Sequence, residues 1–149
     1  MRRNAHTLAE LVVVVMILGV LATIAIPRLQ FRAVHQKKLA AAAHKLTADL
    51  RRARSMALRD AATNSKGFEV LRTGNPWTGY EIKDLDPPAS TVDTVTFESG
   101  ITVTGDNKYD FGPLGNLTVG GSAINLSVDA DSFQITFVAA TGAVICTEM

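Results

Sequence analysis

Sixteen consecutive residues, 11–26, read LVVVVMILGVLATIAI and carry no charge. Thr7, Leu8 and Ala9 extend this run upstream, across Glu10, to about the 20 residues that a membrane-crossing helix needs. Two common segments share the composition. A cleaved secretory signal would use Arg2 and Arg3 as its basic start and Thr23-Ile24-Ala25 as a small-residue cutting site. A plain signal anchor would use the same run uncut. Neither has any need of Glu10, because a carboxylate in a membrane helix costs about 2.5–3.5 kcal/mol at the centre and less near the end. Taken alone, Glu10 reads equally well as a first-turn residue favoured by the helix dipole.

Downstream of the run the helical signal continues. Pro27 removes a ladder donor and crowds the preceding turn, so a kink is expected there. From Leu39 the positions Leu39, Ala43, Leu46, Leu50, Ala53 and Ala57 advance by steps of four and three, an apolar stripe on one face. Lys45, Asp49, Arg52 and Arg59 fall on the other side. Thr63, Asn64, Ser65 and Gly67 end the helix. Beyond Gly67 the pattern changes to short alternating runs at 68–72, 79–83, 94–98, 101–104, 109–111, 123–128, 133–138 and 143–146, which read as antiparallel strands. Asp129-Ala130-Asp131 is the expected hairpin between two of them.

The net charge of +1 conceals a division. Residues 1–60 hold eleven Lys/Arg against three acids, a balance of +8, and residues 61–149 hold four against eleven, a balance of −7. Such asymmetry suggests a basic stalk near a membrane or an acidic partner, and an acidic head. A single cysteine, Cys146, leaves no internal disulfide available. Within the stalk, Arg51, Arg52 and Arg54 read first as a solvated face and second as a phosphate contact.

The string Ala5-His6-Thr7-Leu8-Ala9-Glu10-Leu11, followed by the apolar run and Ile26-Pro27, resembles the N-terminal segment of type IV pilins and type II secretion pseudopilins. In that family a short basic leader is cut before a residue followed by Thr-Leu-x-Glu, and the new terminus is methylated. The resemblance places the cut between Ala5 and His6 and makes Glu10 the fifth residue of the mature chain. Gly19 and Pro27 stand where the family carries its helix-loosening residues. Ala5 and His6 replace the more usual Gly and Phe. The positive-inside rule alone opposes the family topology, because Arg28, Arg32, Lys37, Lys38 and Lys45 outnumber Arg2 and Arg3. Family membership implies that Glu10 of one subunit neutralises the terminal amine of its neighbour.

The resemblance implies an α+β pilin fold: a long N-terminal helix, transmembrane in its first half and kinked near Pro27, packed on an antiparallel β-rich head. The expected divisions are a leader at 1–5, a transmembrane or filament-core helix at 6–27, its amphipathic continuation at 28–65 and a head at 66–149. A narrower likeness lies in the head. Phe111-Gly-Pro-Leu-Gly115, then Gly120-Gly121 and Thr141-Gly-Ala-Val144, is similar to the GspH/FimT family of minor pseudopilins and minor pilins, as is the stalk stretch from Asp49 to Ala57. This implies a minor structural subunit of a type II secretion pseudopilus or, as the alternative, of a type IV pilus with a role in initiation or DNA uptake. The implied partners are other pilin or pseudopilin subunits, prepilin peptidase, an inner-membrane assembly platform and membrane lipid. The implied location is the bacterial inner membrane, single-pass with the head in the periplasm, and then the filament.

Enzymatic and cofactor signatures are missing from the sequence. His35 and His44 are nine apart on the helix, hence on opposite faces, and make no metal pair. Gly112, Gly115, Gly120 and Gly121 lie among strand signals rather than before a helix, unlike a phosphate loop. Asp84/Asp86, Asp106/Asp110 and Asp129/Asp131 read as turn residues before they read as calcium ligands. Nucleic acid is disfavoured, because some FimT-type proteins bind DNA through Gly-Arg-x-Arg where this chain has Gly142-Ala143-Val144-Ile145. A non-enzyme without cofactor or metal is therefore expected.

Overall fold

The computed structural model describes residues 8–149, with side chains described for 8–23 and 34–149. One helix, α1 (Leu8–Arg59), precedes nine strands: β1 (Phe68–Thr73), β2 (Gly79–Asp84), β3 (Ser90–Thr96), β4 (Thr102–Thr104), β5 (Lys108–Phe111), β6 (Leu117–Val119), β7 (Ile124–Val128), β8 (Asp131–Val138) and β9 (Ala143–Glu148). The chain forms two compact units, residues 1–35 and 36–149, so α1 contributes to both.

The expected fold class and location require correction. Among the described residues no helix is long and apolar enough to cross a membrane. The apolar segment also carries Glu10 in its first turn, an acid that a membrane interior disfavours. Among the described residues, the unit that contains the strands begins at Gln36, within α1. A transmembrane first half packed on a head, and with it a single-pass inner-membrane placement, is not what the structure shows. Ala5 and His6 lie outside the described residues, and so does the side chain of Pro27.

In the second unit the helix stripe is the buried one. Leu39, Ala43, Leu46, Leu50, Ala53 and Ala57 are fully buried, as steps of three and four on a 3.6-residue helix require. They share one core with Val70, Tyr80, Ile82, Tyr109 and Phe111 from a five-stranded sheet ordered β3-β2-β1-β5-β6. A four-stranded sheet ordered β4-β7-β8-β9 adds Val103, Ile124, Leu126, Ile135 and Val144 to it. All pairings are antiparallel. Alternation sets the faces: in β1, Phe68 and Val70 enter the core, and Glu69 between them lies on the opposite side.

The exit from the helix is fixed by one side chain. Asn64 Oδ1 accepts from the Lys66 and Gly67 amides at 2.9 and 2.6 Å, and its amide nitrogen donates to Asp84 Oδ1 at 2.7 Å. Gly67 follows at φ 85°, where a Cβ would collide with the carbonyl oxygen of Phe111. Only glycine lets the chain turn there into β1.

A buried polar pair ties the helix to the first sheet. The Tyr80 hydroxyl donates to Asp49 Oδ2 at 2.6 Å, and Lys45, one turn earlier, reaches the same oxygen at 3.1 Å. Burial, followed by the Asp49 carboxylate, pushes the Tyr80 hydroxyl well above its ordinary pKa. Asp49→Ala removes the acceptor and leaves that phenol inside without a partner. The expected loss is about 1–3 kcal/mol, read as a lower chemical-denaturation midpoint, and Tyr80→Phe on the Asp49→Ala background should recover part of it.

Candidate assembly surface

Residues 8–23 form a helical segment whose large apolar side chains are exposed all around. Exposure runs from 48% at Val12 to 82% at Leu8, and includes Leu11, Val13, Val14, Val15, Met16, Ile17, Leu18, Val20 and Leu21. Successive residues on a helix are about 100° apart, so this unbroken run covers every direction. A helix that is apolar all round finds its stable environment only when something covers it. Glu10 is exposed in the first turn, where the positive end of the helix dipole favours a carboxylate. Gly19 lies within the helix, and a Cβ there would meet no atom within 4 Å.

The basic cluster is exposed at Arg51 and Arg52 and half-buried at Arg54, and each of its side chains also bonds to the head. Arg51 Nε and Nη2 donate to the Val144 carbonyl at 3.2 and 2.9 Å, which holds β9. Arg52 Nη1 meets Asp93 in β3 at 3.0 Å. Arg54 Nε donates to the Gly115 carbonyl at 3.2 Å. One basic side of the helix therefore braces a strand from each sheet and a turn between them. No local signal marks these roles, because the acceptors lie 41 to 93 residues away.

The two glycine motifs meet at the same place. Gly115 ends the Phe111–Gly115 turn at φ 72°, against the Leu58 side chain, and Gly142 follows Thr141 at φ 65°. A Cβ on Gly142 would strike the Gly115 carbonyl oxygen and approach the Arg54 side chain. Both turns need a left-handed residue, and the space between them admits only hydrogen.

Three of the paired carboxylates, those of Asp84, Asp106 and Asp110, are engaged within the fold. Asp84 binds Asn64 and the Asp86 amide, and Asp110 and Glu69 share Lys108 at 2.9 and 3.2 Å. Asp106 Oδ2 accepts from the Ser122 and Gly121 amides, each at 3.0 Å, and these bonds, Ser122 first, hold its carboxyl below the ordinary range. Asp129 occupies the φ 53° position of the two-residue β7–β8 hairpin. Among the described residues no group of three or more His, Cys, Asp or Glu could hold a metal ion.

Tyr109 gives the head an alkaline limit. Its hydroxyl donates to the Ser122 carbonyl at 3.0 Å and accepts from the Asp106 amide at 2.9 Å. Burial pushes it up to about 12. The folded state thus favours the neutral phenol, so its contribution is complete below the ordinary value near 10 and disappears as pH rises through 12. At about 1.4 kcal/mol per pH unit, the loss approaches 2–3 kcal/mol. Melting temperature should fall between pH 10 and 12, and Tyr109→Phe should flatten that fall.

Comparison of the chain with protein-family models, with curated proteins and with solved structures finds no match in any of the three.

Proposed function

We propose that this chain is a structural filament subunit of the type IV pilin-like class, a minor pseudopilin of a type II secretion pseudopilus that assembles through its N-terminal helix to support protein export. The observation that carries this reading is the uncovered segment 8–23, apolar in every direction, with one carboxylate in its first turn. Packing such segments side by side in an assembly buries their surface at roughly 25 cal/mol per Å². Glu10 is then the one acid among side chains that otherwise exclude charge, and the terminal amine of a neighbouring subunit is its natural partner. The string from Ala5 to Leu11 supports the same reading, as do the Phe111–Gly115 and Thr141-Gly142 motifs. The partners are other filament subunits and prepilin peptidase, and no enzymatic role is assigned.

The test is the intact mass of the protein produced with and without an active prepilin peptidase. The expected result is loss of Met1 to Ala5 and gain of one methyl group only when the peptidase is present. A chain that keeps its first five residues under both conditions, or is cut near Ala25, overturns the proposal.

A further inference from the structure

The outer faces of the two sheets differ in kind. Alternation places Glu69, Glu81, Lys83, Lys108 and Asp110 on the side of the five-stranded sheet away from the core. There they make three ion pairs of 2.9 to 3.2 Å. The same alternation in β4, β7, β8 and β9 sets threonine, serine, asparagine, glutamine and aliphatic side chains on the outer side of the four-stranded sheet, with no charged residue among them. The acids of these strands, Asp131 and Glu148, fall in the opposite alternation. None of the outer residues is buried.

One row of polar side chains crosses all four strands: Thr104 stands opposite Asn125, Asn125 opposite Gln134 and Gln134 opposite Thr147. Gln134 Nε2 donates to Asn125 Oδ1 at 3.0 Å. This leaves the Asn125 amide nitrogen and the Gln134 carbonyl oxygen, a donor and an acceptor on neighbouring strands, without a partner among the described residues. Two adjacent hydroxyls on one molecule match that pair, since one accepts while the other donates. A carboxylate brings acceptors alone and an ammonium donors alone, and a charged ligand would meet no counter-charge here. The next row holds Thr136 and Ile145, and Ile145, half exposed, offers an apolar contact. Four strands about 4.8 Å apart, over about six residues of 3.3 Å, give the face roughly 400 Å². A stable protein pair needs about 800 Å² on each partner, so the face suits a thin chain better than a folded partner.

We propose that the outer face of the four-stranded sheet binds a neutral polysaccharide, laid across the strands along the row from Thr104 to Thr147. Neighbouring hydroxyls of one sugar bond to the Asn125 amide nitrogen and the Gln134 carbonyl oxygen. The threonine hydroxyls at the two ends of the row serve the sugars on either side, and Ile145 takes a C–H face. This contact belongs to the second unit alone and is independent of the filament reading, which rests on residues 8–23.

The experiment uses the full chain in a polyoxyethylene detergent, which covers the apolar segment 8–23 and whose head group carries no sugar. The chain is spun down with cellulose, with starch granules and with cross-linked dextran, all neutral. Retention by at least one of them is expected, and it should persist at about 1 M salt, where charges are screened beyond about 3 Å. Asn125→Ala with Gln134→Ala should lower the retained amount several-fold and leave the melting curve close to that of the parent, because neither side chain belongs to the core. Gln134→Glu, which sets a charge in the middle of the row, should do the same. Glu81→Ala, on the outer face of the other sheet, should leave retention unchanged, and so should Glu10→Ala. Retention by none of the three, retention that salt abolishes, or an equal loss from Glu81→Ala overturns the proposal. So does a dimer, seen by sedimentation velocity, that Gln134→Glu dissociates, since the face would then be filled by a second copy.

Discussion

Phe111→Ala should lower the stability of the folded chain by about 3–5 kcal/mol, the range for removing a fully buried aromatic side chain. Phe111 is wholly buried in β5, where it pairs across β1 with Phe68. Its surroundings have little freedom to collapse into the cavity. The carbonyl of the same residue is the atom against which Gly67 turns, and the next amide, of Gly112, donates to the Asn116 carbonyl at 2.9 Å. Strand β1 is held on its other side by β2 along six residue pairs. A domain with an ordinary stability of about 5–15 kcal/mol would lose a large share of it. Denaturant titration of the variant should show a much lower midpoint with an unchanged slope. A shift under about 1 kcal/mol would mean that this end of the core is not packed as described.

Glu10→Ala should leave the second unit folded and reduce incorporation into filaments roughly a hundredfold or more. The folding part follows because Glu10 belongs to the first unit, whereas the shared core of helix and strands begins at Leu39. The assembly part follows from the proposed function. An amine buried among apolar helices without its carboxylate costs about 3–5 kcal/mol, and each 1.4 kcal/mol is a factor of ten in an equilibrium. Incorporation is read by immunoblot of sheared filaments beside a melting curve of the same variant. Normal incorporation of Glu10→Ala would remove the ionic role of this residue, and Glu10→Asp separates loss of charge from loss of length.

Local pattern accounts for a good part of this molecule. The stripe from Leu39 to Ala57 is legible because helix geometry alone decides which side chains share a face, and those six residues are the buried ones. The β7–β8 hairpin is legible because two residues, Asp129-Ala130, separate alternating runs. Strand β6 is not legible in the sequence, because its three residues between Asn116 and Gly120 show no period. Strand β3 begins at Ser90, four residues before the alternation at 94–98, because its early residues are exposed and gain their pairing only from β2. Hydropathy along the chain points to a membrane crossing, whereas among the described residues no helix is long and apolar enough to make one.

Position along the chain, then, was enough for the helix stripe, the turns that need glycine and the identity of the apolar segment with its single acid. Each of these depends on neighbours within a turn or two, where backbone geometry leaves few choices. The division of nine strands between two sheets was decided only in three dimensions. So were the arginine bonds to Val144 and Gly115 and the burial of Asp49 against Tyr80. These join groups tens of residues apart, and such partners are chosen by the packing of the whole core.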